Sequence, residues 1–230
     1  MRFQKPFPKP LSAQELRKLG NTSHLAKRAV IIAGGKMQDF DYIRSFVLPT
    51  DTIIAADSGY LHAKQMGLTP HIVVGDFDSL GFVPEDTVVY QVSKEKDMTD
   101  TELALDIARK QGFQSFLFLA ALGTRMDHSL SNIFLLAQLL HETESGQIVD
   151  EHNQIYFVNS TLTLTPPLGS FLSLVPITDC HGVTSSGLSY PLSNSSLTFG
   201  KSLGISNVVT DTPVTIQLDS GKLLVIVAKD

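Results

Sequence analysis

Five short apolar runs separated by helical or turn-rich stretches constrain this chain more than any other feature. They are RAVIIAGG (28–35), TIIAADSG (52–59), HIVVGDFDS (71–79), TVVYQVS (87–93) and SFLFLAALG (115–123). Runs that are apolar on both faces and alternate with helices suit a parallel sheet covered on both sides. Gly34, Gly35, Gly59 and Gly75 fall at strand ends, where the backbone turns tightly or meets a ligand. After about residue 150 the helical period disappears. QIYFVNSTLTLTP, SFLSLVPI, GVTSSGLSY, PVTIQLDSG and KLLVIVAKD alternate apolar with polar residues and are punctuated by Pro, Gly, Asn and Ser. They predict an antiparallel sandwich or barrel, with Asp219-Ser220-Gly221 as the tight loop of the last hairpin. The expected organisation is an extension over 1–27, a Rossmann-like α/β nucleotide-binding domain over 28–148, and an all-β domain over 149–230. The extension, with Pro6, Pro8 and Pro10 and little periodicity, is assigned no chemistry.

Three acidic clusters stand at the ends of apolar runs, where open α/β sheets bind ligands. In GDFDS, extended backbone would put Asp76 and Asp78 on one face, so that both carboxylates converge on a hard cation. The plainer alternative is a solvated polar turn. In KEKDMTDTELAL (94–105), Thr99 and Glu102 have the spacing of a capping box at the start of a helix. Asp97 and Asp100 flank that helix N-terminus, whose free amides, with Lys94 and Lys96 beside them, suit a polyphosphate. Asp100 could then reach the same metal as Asp76. In LGTRMDHSLSN (122–132), Arg125, Asp127, His128 and Asn132 fall at a strand-to-helix turn, and Leu130, Ile133, Phe134, Ala137 and Leu140 mark the helix that follows. Asp127 could equally be an N-cap and His128 a surface side chain. Asp57 is placed either to accept hydrogen bonds from ribose hydroxyls or a substrate amine, or to cap the helix starting near Tyr60. Neither a G-x-G-x-x-G fingerprint nor a P-loop is present, so a nucleotide would be held by another arrangement.

Composition narrows the classes. With 230 residues, 43% of them hydrophobic, the chain can bury a full core. A net charge of −5 argues against nucleic acid as partner. No apolar run approaches the length of a membrane span, and the N-terminus lacks the apolar stretch of a signal peptide. A single cysteine, Cys180, excludes an internal disulfide framework and fits a reducing compartment, so the cytoplasm is expected.

Taken together, AADSG, GDFDS, KDMTDTELAL, LGTRMDHSLSN, SLVPI, GVTSSGLSYPL and GISN, in this order from about Ala29 onward, resemble the bacterial type of thiamine pyrophosphokinase. One departure is Thr124, where that family commonly has a second glycine before the arginine. The resemblance implies transfer of a pyrophosphoryl group from ATP to the hydroxyethyl oxygen of thiamine, giving thiamine diphosphate and AMP with Mg²⁺ as cofactor. It implies that Asp76, Asp78 and Asp100 are the metal and catalytic carboxylates, and that Lys96 and Arg125 offset phosphate charge. Asp57, Thr99, Asp127 and His128 would line the nucleotide cleft, and Ser206 and Asn207 would contact thiamine. It also implies a homodimer with its active site at the subunit interface. Any stacking on thiamine must come from Phe or Tyr, because the chain has no Trp. Two other readings use the same residues: a Mg²⁺-dependent phosphohydrolase with Asp76 as nucleophile, and a non-catalytic thiamine or nucleotide sensor.

Overall fold

The computed structural model describes residues 28–93, 95, 97–140 and 144–229. The expectations for residues 1–27, Lys94 and Lys96 therefore lie outside the described residues. The chain divides into two units, with the break between Glu151 and His152.

The first unit is built on a parallel sheet. Its strands are β1 (Arg28–Ile32), β2 (Thr52–Ala56), β3 (Ile72–Gly75), β4 (Val88–Gln91), β5 (Ser115–Leu119) and β6 (Ser145–Val149). Their spatial order is β6-β5-β1-β2-β3-β4, all neighbours parallel. The chain steps outward from β1 to β4, then returns to the other side of β1 with β5. The order therefore reverses between β1 and β5, which is where sheets of this kind open a crevice at the strand ends. β1 lies at the centre, with Val30 opposite Ile53 on one side and Leu117 on the other. Ala29 through Ile32 are wholly buried, as the continuous apolar run demands of a strand covered on both faces. β4 departs from that expectation: it is an edge strand with Val88 56% and Tyr90 43% exposed.

Four helices carry the crossovers: α1 (Phe40–Arg44), α2 (Gly59–Gln65), α3 (Asp100–Lys110) and α4 (Met126–Leu135). Thr99 caps α3, its Oγ1 accepting from the Glu102 amide at 3.2 Å, as the sequence predicts. The second half of the capping box is replaced, because the Glu102 carboxylate accepts from Gln138 Nε2 at 3.1 Å. α4 is rotated from its expected setting. Leu130 and Phe134 are 44% and 45% exposed, and the buried positions are Ser129, Asn132 and Leu135. The reason is polar: Ser129 and Asn132 turn inward to bind the loop after β5. Among the described residues, no helix is long and apolar enough to cross a membrane.

The second unit is antiparallel β-structure in two four-stranded arrangements. β7 (Asn153–Val158), β9 (Phe171–Pro176), β12 (Asn207–Val208) and β14 (Leu223–Ala228) align in the order β12-β9-β14-β7. β8 (Thr161–Leu164), β10 (Cys180–Ser186), β11 (Ser195–Leu197) and β13 (Val214–Gln217) form a separate sheet in the order β11-β10-β13-β8. Alternation is regular in β9, where Leu172, Leu174 and Pro176 are buried and the residues between them are half-buried. The expected last hairpin is absent. β13 pairs with β10 and β8, whereas β14 pairs with β7 and β9. Asp219-Ser220-Gly221 instead carries the chain from one sheet to the other. It binds His181, whose amide donates to Ser220 O at 3.0 Å and whose carbonyl accepts from Asp219 N at 2.9 Å.

Candidate active site

A cavity of about 580 Å³ opens at the C-terminal ends of the parallel strands, around the β1/β5 reversal. Its wall comes from the loops after β1 (Ala33 to Lys36), β2 (Asp57, Ser58), β3 (Ser79) and β5 (Ala121, Gly123 to Arg125), together with the N-termini of α3 and α4. The loops meet so closely that backbone forms the floor. A Cβ added at Gly35 would stand 2.3 Å from the carbonyl oxygens of Ala120 and Leu122, and one at Gly59 would stand 1.9 Å from Ile32 O. Only glycine fits at either position.

Asp57 is the most unusual residue of this wall. Its φ is +47°, in the left-handed region that Asp and Asn tolerate better than other side chains. Its amide donates to Val74 O at 2.8 Å. It does not cap α2, whose N-cap is Ser58, without a side-chain cap. The Asp57 Oδ1 atom is buried and has no hydrogen-bond partner among the described residues. A carboxylate oxygen left so is costly unless a donor or a cation meets it.

The GDFDS segment folds differently from its expected extended form. β3 ends at Gly75 and Phe77 takes φ +63°, so the alternation that would align Asp76 with Asp78 is broken. Asp76 Oδ1 accepts from the Asp78 amide at 3.1 Å, and Asp78 is exposed. Among the described residues, the cavity wall includes Asp57 and Asp100 but neither Asp76 nor Asp78. Gly75 nonetheless packs on Asp57, where an added Cβ would lie 3.2 Å from the Asp57 Cα and Cβ. No three His, Cys, Asp or Glu side chains among the described residues are grouped to hold a metal ion by themselves. The expected three-carboxylate convergence is thus not preformed. This does fit Mg²⁺, which is commonly held by one or two carboxylates, waters and the phosphates of its substrate. The orphaned Asp57 oxygen supplies a hard anionic donor in that wall.

The loop after β5 is fixed from α4. Asn132 Nδ2 donates to Ala121 O at 2.7 Å, and Ser129 Oγ accepts from Gly123 N at 3.0 Å. Both side chains are buried. Ser129 was not legible as a site residue; its only sequence signal is its place one turn beyond Arg125. Thr124 lines the cavity and does not take a positive φ, so this position makes no demand for a left-handed residue. Arg125 is the N-cap residue of α4, and Asp127 lies in the first turn. Arg125 Nη2 meets Asp127 Oδ2 at 2.6 Å, with side-chain exposures of 70% and 64%. This pairing, with the His128 amide, holds the Asp127 carboxyl below its ordinary range and pushes the Arg125 guanidinium up. So exposed a pair contributes little to stability and can exchange partners. His128 is exposed at the cavity wall.

In the second unit, Ser206 has φ +57° and donates its amide to Ser173 Oγ at 3.0 Å. Asn207 is buried, and its amide group clamps another loop. Oδ1 accepts from the amides of Tyr190 (3.1 Å) and Val208 (2.9 Å), and Nδ2 donates to Tyr190 O at 2.8 Å. Tyr190, absent from the sequence-derived candidates, is thereby presented with its side chain outward, 77% exposed.

The first unit matches the description "Thiamin pyrophosphokinase, catalytic domain" over residues 43–148, and the second matches "Thiamin pyrophosphokinase, vitamin B1 binding domain" over 159–223. The chain is 29% identical over 211 residues to a thiamine pyrophosphokinase of Bacillus subtilis, covering 87% of this chain and 98% of that protein. The crystal structure of thiamine pyrophosphokinase from Bacillus subtilis superposes with a TM-score of 0.77 at 28% identity, covering 89% of this chain and all of that one. Thiamin pyrophosphokinase from Candida albicans, only 13% identical, shares the fold with a TM-score of 0.68 over 88% of this chain and 89% of that one. With both domains of one family matched in order along its length, the chain belongs to the thiamin pyrophosphokinase family.

Proposed function

We propose that this chain transfers the pyrophosphoryl group of ATP to the hydroxyethyl oxygen of thiamine, releasing AMP and thiamine diphosphate. The observation that carries the reading is the cavity at the β1/β5 reversal, built from the same AADSG, KDMTDTELAL and LGTRMDHSLSN segments on which the family resemblance rests. Its volume, about 580 Å³, lies in the range of small-molecule sites. The triphosphate would lie across the backbone floor and the start of α3. Asp57 and Asp100, with Asp76 and Asp78 beside them, are the residues that would hold Mg²⁺. When bound, the ion neutralises charge developing on the transferred phosphates. One of these carboxylates orients the thiamine hydroxyl and accepts its proton as the oxygen attacks the β-phosphorus. Arg125, released from Asp127, offsets phosphate charge. Lys96 has the same role in this reading.

Thiamine would meet the Ser206–Asn207 segment of the β unit, with Tyr190 supplying the aromatic face that the absent Trp cannot. A cationic thiazolium is attracted to such a face and to the acidic cleft. The family resemblance further supports a homodimer in which the β unit of one subunit serves the catalytic unit of its partner. The deciding assay is incubation with ATP, Mg²⁺ and thiamine, with the nucleotide product identified. AMP formed together with thiamine diphosphate establishes the reaction. Phosphate released without an acceptor would instead establish the hydrolase, and ligand binding without turnover would establish the sensor.

A further inference from the structure

Two cationic side chains from the described residues line the cavity, Lys36 and Arg125. Arg125 is engaged with Asp127. Lys36 is exposed at the wall, and no carboxylate among the described residues pairs with it. Its backbone is held more firmly than its surface position suggests. Gly35 N donates to Ala120 O at 2.7 Å and Lys36 N to Leu122 O at 2.9 Å, which ties the loop to the end of β5. On the other side, His62 of α2 reaches Gly35 O with Nε2 at 2.8 Å. A carbonyl oxygen only accepts, so Nε2 carries the proton. Nδ1 is buried and has no hydrogen-bond partner among the described residues. The imidazole is thus committed to one task, fixing the peptide that precedes Lys36.

We infer that Lys36 is the resident phosphate-binding cation of this cavity, and that His62 is its positioning residue, acting through the Gly35 carbonyl. The inference rests on the proposed use of the cavity for ATP and names a residue for it. An ammonium on a locked backbone, with no carboxylate to displace among the described residues, can meet a phosphate oxygen without first breaking an ion pair. Arg125 must break one.

The test is calorimetric titration of the full chain, in Mg²⁺, with ATP and with tripolyphosphate, a probe that has no base or ribose. Wild type is compared with Lys36→Met and Lys36→Arg. Lys36→Met should weaken both ligands by about ten- to a hundredfold, the usual scale of a charged hydrogen bond, and Lys36→Arg should stay within about threefold of wild type. Lys36 is exposed, so these variants should fold, and circular dichroism checks this. Binding of both ligands by Lys36→Met at wild-type affinity overturns the inference. A loss confined to ATP would move Lys36 to the base or ribose and overturn it too. Binding that responds to Lys36 in a protein that makes no thiamine diphosphate sustains the inference and refutes the function proposed above. For His62, steady-state kinetics separate positioning from general stability. His62→Leu should raise the KM for ATP with the KM for thiamine and kcat unchanged, and His62→Gln, whose amide reaches the place of Nε2, should restore it. Equal rises in both KM values, or no rescue by Gln, would remove His62 from this role.

Discussion

Replacing Asp57 by Asn should stabilise the protein while disabling it. Oδ1 of Asp57 is buried with no donor opposite it among the described residues, so a carboxyl oxygen has lost its hydration without replacement. A buried polar group without a partner costs about 1–3 kcal/mol, more when charged. Asn has nearly the same shape, tolerates the +47° φ of this position, and removes the charge. Because Asp57 as a whole is only half-buried, the gain should lie near the lower end, about 1 kcal/mol. Asp57→Ala supplies the control: it also removes the charge, but it forces a residue without a local polar side chain into the left-handed region, which costs about 1–2 kcal/mol. The order of stability without ligand should therefore be Asn above wild type, and Ala equal to or below wild type. The assay is urea unfolding of the three proteins at one concentration, with Mg²⁺–ATP titrations alongside. Nucleotide affinity in the presence of Mg²⁺ should fall in both variants. An Asn variant less stable than wild type would show that the oxygen has a structural partner, and unchanged Mg²⁺–ATP affinity would take Asp57 out of the ligand site.

Asp76→Asn and Asp100→Asn should each leave the circular dichroism spectrum intact and lower turnover by on the order of a hundredfold; near-normal turnover in both would remove them from the mechanism. Arg28→Met strands the Asp51 carboxylate, 1% exposed, which now receives Arg28 at 2.6 Å. Urea unfolding should show a loss of about 3 kcal/mol, the lower end for a broken buried pair because Arg28 itself is 19% exposed. Ser129→Ala leaves the Gly123 amide without its acceptor and should cost about 1–2 kcal/mol in the same assay, with the KM for ATP raised. For the shared-site dimer, Asp100→Asn and Asn207→Ala proteins, each nearly inactive, should recover activity when mixed under subunit exchange; exchange without recovery would place the site within one subunit.

Much of the first unit was legible because its signals are local. The runs beginning at Arg28, Thr52, His71 and Ser115 are too apolar to be anything but buried, and each produced a strand. Thr99 was legible as a cap because capping is decided within one turn. Where the reading failed, distant residues decided the outcome. The alternation argument for Asp76 and Asp78 assumed that the strand continued, but Phe77 turns left-handed and is buried at 3% exposure, which ends it. The apolar spacing of α4 was real, yet Ser129 and Asn132 were drawn to backbone groups of a loop that sequence alone does not place beside them. The Asp219–Gly221 turn has hairpin chemistry, but His181 takes its hydrogen bonds and the chain changes sheets. The site positions split in the same way. Asp57, Asp100, Arg125 and His128 share one cavity wall, as strand-end placement suggested. Lys36 and Tyr190 escaped notice, since their prominence comes from what holds their backbones still.

The central position of β1 also bears on when the cleft can exist during folding. β1 pairs with β2 across a short stretch of chain, but its other neighbour is β5, more than half of the first unit away. The carbonyls of Ala120 and Leu122 that fasten Gly35 and Lys36 arrive with β5. Until that long loop closes, the glycine loop has one wall and no second anchor, and loop closure over such a span is the slow kind of contact. A nascent chain stalled before β5 would thus carry β1 to β4 with its ligand crevice still unmade. ATP added during refolding should accordingly act late, accelerating none of the β1–β2 pairing and protecting only the chains that have already brought β5 home.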